Sequence, residues 1–194
     1  QGGGAALAAA SMPDYVARTG TAFDDIDIVG YVALAPHDIA AMAPPGPLDA
    51  AASAKMLDGL TQSFGDNVFD FTHFSMSLWA TAAAIPGLKL TDLFTEDGAK
   101  ALDEIFSKKC MHPAADTISF NFGSDYKTLL SPTPTNQEAW VAGILKGSVP
   151  DVVPSAPVII YWGTKDTTNP PIMGEKYREQ MCKAGGNVTR VQLP

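Results

Sequence analysis

Apolar positions along the chain switch repeatedly between helical and strand period, and each switch predicts a new element. After three glycines the opening runs through Ala5, Ala6, Leu7, Ala8, Ala9 and Ala10, strong helix formers bounded by Ser11 and Pro13. This predicts a helix that begins almost at residue 1 and stops before the proline. Its side chains are so small that a sheet could approach very closely. From Ile26 to Ala35 the pattern alternates and then runs apolar through Ile28, Val29, Tyr31, Val32, Ala33 and Leu34 to Pro36. A short continuous run of this kind predicts a strand buried on both faces of a parallel sheet.

Helical spacing takes over next. Leu48, Ala52, Met56 and Leu60 recur on one predicted face, as do Ala99, Leu102, Ile105 and Phe106, with Pro-rich or Gly-rich joints between them. Val158 to Trp162 forms a second apolar run, followed by the turn residues Gly163 to Asp166. Pro170 and Pro171 suit the start of a helix that Gly185 and Gly186 end, and Asn187 to Leu193 alternates as a third strand. Strand, polar loop, helix and strand in that order predict an α/β chain with a parallel sheet, whose ligands gather at the carboxyl ends of the strands. The expected organisation is a core at 1–39 and 155–194, interrupted by a helical insertion at 40–154.

Composition narrows the class. Of the 194 residues, 46% are hydrophobic and 18% charged, with 17 Gly and 15 Pro, which is the profile of a folded chain rich in turns. The net charge of −8 disfavours nucleic acid and anionic membrane surfaces as partners. No apolar run is long enough for a membrane span, and Gly2 to Ala10 lacks the basic flank of an export signal. Cys110 and Cys182 make at most one bridge and have no metal-binding spacing.

Chemistry enters through two segments. Gln1-Gly2 followed by the alanine-rich helix matches the last two positions of a Gly-x-Ser-x-Gly nucleophile elbow, and equally a plain glycine-rich loop. Ala156 to Pro171, with Asp166 at the end of its strand, resembles the acid-bearing strand and loop of α/β-hydrolases. Tyr177 to Pro194 resembles the stretch that leads to the catalytic histidine in the secretory lipase family. Thr167, Thr168 and Asn169 depart from that pattern, since apolar residues often follow the acid there. The resemblance is specific at both ends of the chain and loose over residues 40–150.

The resemblance implies an α/β-hydrolase sheet with a helical lid and a carboxylic ester hydrolase, either lipase or esterase. Asp166 would be the triad acid, with the serine immediately before Gln1 and the histidine just after Pro194. Gln1 would donate its backbone N–H to the oxyanion hole. Serine would attack the ester carbonyl, histidine would carry the proton, and Asp166 would steady the histidinium. The implied partners are an ester substrate and the remaining N-terminal part of the same hydrolase. No metal or organic cofactor is implied, and the expected location is secreted or periplasmic.

Phe71, His73, Phe74 and Trp79, with Phe64, Phe69, Met76 and Leu78, form a dense aromatic cluster that reads as an acyl-chain pocket or as an ordinary helical core. His73 reads as substrate-facing or as a hydrogen-bonded core histidine, and His37 and His112 as loop residues. Cys110 and Cys182 read as a disulfide joining the lid to the helix after the acid loop, or as two buried thiols. Two rival functions stand beside the ester hydrolase: a non-catalytic binding module for an apolar ligand, and a related serine hydrolase acting on amides. A dinucleotide loop at Gly2, Gly3 and Gly4 lacks both a preceding strand and the required glycine spacing.

Overall fold

The computed structural model describes residues 2–12, 27–44, 46 and 48–194. In chain order its elements are α1 (Gly2–Ser11), β1 (Tyr31–Leu34), α2 (Ala50–Phe64), α3 (Val68–Ala84), α4 (Glu96–Phe106), α5 (Met111–Phe122), α6 (Gln137–Lys146), β2 (Val158–Gly163), α7 (Pro171–Lys183) and β3 (Val188–Leu193), with short 3-10 turns at Ala40–Met42, Leu90–Asp92 and Gly123–Leu129. Contacts divide the chain into two compact units, one made of Gln1–Pro45 with Leu145–Pro194, the other of Gly46–Ile144.

The first unit is built on a parallel sheet in the order β1-β2-β3, with Tyr31 opposite Val158 and Val158 opposite Val188. Apolar residues from every second position of these strands turn to one face. There Ala33, Val158, Ile160 and Val188 meet Leu7 and Ala10 of α1 and Tyr177 and Met181 of α7 in a buried core. Glycines make this packing close. A Cβ at Gly3 would overlap the carbonyl oxygen of Leu34, and one at Gly4 would stand 2.9 Å from the carbonyl oxygen of His37. The amino end of α1 therefore rests on the backbone at the carboxyl end of β1.

The helix after β2 forms as its prolines predict. Pro171 occupies the first turn, where the missing N–H costs nothing. At the other end Gly185 adopts φ +95°, and the Gly186 N–H donates to the Met181 carbonyl at 2.7 Å. Arg190 of β3 fastens α7 to the sheet. Its guanidinium pairs with Glu175, donates to the Pro171 carbonyl at 3.0 Å, and stacks 4.2 Å over the Trp162 ring.

Two expectations about the strands change. Residues 27–30 are outside β1, and Ile26 lies outside the described residues. The sheet is also not buried on both faces: Val32 is 58% and Leu34 64% exposed, while Ala33 between them is fully buried. The reason is that α1 and α7 both pack on the Ala33 side.

The second unit is helical. Asp49, Asn67 and Thr95 cap α2, α3 and α4 by accepting hydrogen bonds from Ala52, Asp70 and Gly98 N–H groups. In α4 the expected stripe of Ala99, Leu102, Ile105 and Phe106 is the buried face. In α2 the buried residues are Ser53, Leu57 and Phe64, the first two one position on from the expected Ala52 and Met56, which with Leu60 are only half-buried. Trp140 of α6 is fully buried, and its Nε1 donates to Asp92 at 3.0 Å. Asp92 also accepts from Lys89 N and Asn136 Nδ2. Burial alone would raise its pKa, but these hydrogen bonds together outweigh that and hold it below the ordinary carboxylate value.

The cysteine expectation is corrected. Cys110 and Cys182 are both free and both exposed, so they are neither bridged nor a pair of buried thiols. Each belongs to a different unit, and the Cys182 thiol is turned to the Val188 carbonyl of its own unit.

Candidate functional site

Parallel strands bring their carboxyl ends to one edge, so the loops after β1 and β2 become neighbours. The second loop is ordered by its own aspartate. Asp166 donates its N–H to the Gly163 carbonyl at 3.3 Å, and its Oδ1 accepts from Thr168 N at 3.1 Å and Asn169 N at 2.8 Å. This side-chain-to-backbone turn holds the half-buried carboxylate at the end of β2. Oδ1 is committed to the loop, so Oδ2 is the oxygen that can face a partner such as an imidazole N–H. Thr164 N–H donates to the Leu193 carbonyl at 3.1 Å, tying the same loop to the end of β3.

The first loop reaches the second through a histidine. His37 Nδ1 and Asn169 Oδ1 lie 3.0 Å apart. Since Asn169 also donates its backbone N–H to Asp166, His37 touches the acid loop directly and reaches its aspartate in two steps. Ala35, two residues before it, has φ +43°, an uncommon conformation for a residue with a side chain, and its N–H continues the ladder to the Tyr161 carbonyl at 2.8 Å. The amino end of α1 approaches this segment at Leu34 and His37. The edge thus gathers a helix amino end, a loop histidine and a turn-held carboxylate.

Asp38 lies two residues past Pro36, where the chain leaves the sheet. It is 3% exposed, and its carboxylate accepts from Ala41 N at 3.3 Å and from the Ala40 and Val149 N–H groups. Burial raises its pKa to about 6 against those hydrogen bonds, with a smaller push from Asp151. An Asp following a strand of this length gives no sequence signal of burial, because aspartate in that position is most often a solvated turn residue.

Gln1, the expected oxyanion donor, lies outside the described residues. The four residues expected to wall an acyl pocket are all on α3 and meet different neighbours. Phe71 is buried against Tyr126, with ring centroids 5.0 Å apart. Trp79 donates Nε1 to Asp103 at 2.8 Å and meets Phe106 edge-on. His73 is half-buried, and burial lowers its pKa. Phe74 stacks on Phe64 and, with Leu57, Leu78, Leu93 and Leu130, lines an open cleft of about 180 Å³ in the helical unit. His112 is in the first turn of α5 rather than in a loop, with its ring against Phe69.

No group of three or more His, Cys, Asp or Glu side chains that could hold a metal ion occurs among the described residues. No helix among them is long and apolar enough to cross a membrane. The chain matches no known protein family, no curated protein and no solved structure.

Proposed function

We propose that this chain carries the acid of a Ser-His-Asp serine hydrolase acting on carboxylic esters, with Asp166 as that acid. The supporting observation is the placement of its carboxylate: fixed by its own turn at the end of a parallel strand, beside the loop after the neighbouring strand, on which a small-residue helix rests its amino end. A triad acid needs a fixed position from which to hold one imidazole tautomer, and a turn-held strand-end aspartate meets that need. The nucleophile and the base would lie outside residues 1–194, the serine before Gln1 and the histidine after Pro194, and Gln1 would supply an oxyanion N–H. The α/β-hydrolase fold and an exported location are part of the same reading. The ester hydrolase is preferred to the amide-cleaving relative on the resemblance to secretory lipases.

One observation favours a second reading, a non-catalytic module that binds an apolar ligand. Asp166 already has a structural occupation in its own loop, and the cleft beside Phe74 is a separate place where an apolar group would fit. Labelling a protein that includes the residues before Gln1 and after Pro194 with a fluorophosphonate probe, followed by intact mass and peptide mapping, separates the two. Covalent labelling of one serine, slowed by about 10³-fold or more in Asp166→Asn, is the result expected for the hydrolase. No adduct, or labelling indifferent to Asp166→Asn, supports the module.

A further inference from the structure

We propose that the cleft of the helical unit takes a small primary amine carrying one apolar ring, with the ring on the cleft floor and the ammonium at Asp58. The inference rests on the binding reading of that cleft, for which it names the ligand class, and is independent of acyl transfer.

Four buried side chains make the floor. Leu57 of α2, Phe74 and Leu78 of α3, and Leu93 are between 2% and 6% exposed, and all four border the open space. Phe74 and Leu78 stand four residues apart on one face of α3, as Leu57 and Thr61 do on α2, so each helix contributes one continuous strip to the lining. The remaining wall comes from the chain around Leu93 and Leu130. Phe94 pairs with Leu130 as an antiparallel bridge, the Ser131 N–H donates to the Leu93 carbonyl at 2.9 Å, and the Thr133 N–H donates to Ser131 Oγ at 3.2 Å. Pro132 and Pro134 stiffen the same stretch. A wall held in this way exists before a ligand arrives, so binding carries little cost of ordering it.

Volume and charge then select the occupant. The space is about 180 Å³. An apolar cavity of roughly 150 Å³ accommodates one benzene ring. The floor therefore suits a single six-membered ring, and the open mouth leaves room for a short arm. Asp58 is exposed, and it is the one charged side chain among the described residues that border the cleft. No hydrogen bond or ion pair among those residues engages its carboxylate. A neutral ring would leave that carboxylate idle, an anionic one would meet it as a like charge, and an ammonium on a short arm would pair with it. An exposed ion pair is weak, so Asp58 adds selectivity while the floor supplies most of the affinity. The net charge of −8 acts in the same direction, drawing cations and repelling carboxylates.

The test titrates the full chain with phenethylamine, phenethyl alcohol and hydrocinnamate, followed by amide NMR shifts. The amine should bind roughly threefold or more tighter than the alcohol at low salt, with hydrocinnamate weakest. The shifts should centre on Leu57, Phe74, Leu93 and Leu130. About 1 M salt should bring the amine down to the alcohol. Asp58→Asn, at an exposed helix position, should do the same. Thr61→Phe, which fills the cleft from a half-buried position, should weaken amine and alcohol together. Amine and alcohol binding alike to the wild type overturns the charge selection and leaves the apolar-module reading standing. Shifts from none of the three at about 10 mM overturn both.

Discussion

Gly3 and Leu34 meet backbone to backbone: a side chain at Gly3 would overlap the Leu34 carbonyl, its Cβ only 2.8 Å from the carbonyl carbon. The absence of a Cβ is thus what lets α1 settle on the end of β1. Gly3→Ala should destabilise the first unit by about 2–4 kcal/mol, since neither backbone can yield without disturbing the core behind it. Gly2→Ala, where a Cβ meets nothing within 4 Å, should change stability by less than about 0.5 kcal/mol. Urea unfolding of both variants distinguishes them; equal losses would mean that helix propensity, not contact, governs this end.

Asp92 gathers three donors in the helical unit, and Trp140 is the buried one. Asp92→Ala should cost that unit about 2–3 kcal/mol, because Trp140 Nε1 is left buried without an acceptor. The sign with pH also follows. A carboxyl held below its ordinary value stabilises above that value and loses its contribution as pH falls through the lowered one, so the wild type should lose this support below about pH 4. Thermal unfolding of wild type and variant between pH 3 and pH 7 should show their difference shrinking toward acid.

Free, exposed thiols at Cys110 and Cys182 should both react with a thiol reagent in the native protein without denaturant. Reducing agent should leave the melting temperature unchanged. Fewer than two reactive thiols per chain would contradict the structure.

Asn169→Ala removes the side-chain contact with His37 while keeping the backbone N–H that Asp166 accepts. Amide and imidazole chemical shifts of His37 should move, and stability should fall by about 1 kcal/mol. Asp166→Ala should perturb Thr168 and Asn169 instead, since their N–H groups lose their acceptor.

Several elements were legible because their signals are local. Prolines at 170 and 171, the glycine pair at 185 and 186, and the small residues after Gly2 act through the backbone of the elements they bound. Other features depend on what lies across the fold. Val32 and Ala33 belong to one apolar run, and only the placement of α1 and α7 on a common face decides that Ala33 is buried and Val32 exposed. In α2, Ser53 is buried because of its neighbours, whereas a hydropathy stripe selects Ala52 and Met56. Asp38 is the extreme case: besides the adjacent Ala40 and Ala41, the groups acting on it are Val149 and Asp151, more than a hundred positions away, and a single aspartate carries no trace of them. The aromatic cluster of α3 was visible as a cluster, but the helix turn sends Phe71, Phe74 and Trp79 to different neighbours.

The interleaving of the two units has a kinetic consequence. Tyr31 and Ser155, joined through their side chains at one end of the β1–β2 pair, are 124 positions apart in the chain. Closing so long a loop in an otherwise unstructured chain costs roughly 4 kcal/mol of entropy before any strand pairs. Residues 46–144 form one compact unit whose helices follow one another in the chain, and local helical contacts form quickly. Refolding should therefore be biphasic, with helical signal arriving first and sheet-side protection at Val158 and Ile160 later, and changes that weaken α4 or α6 should slow the second step.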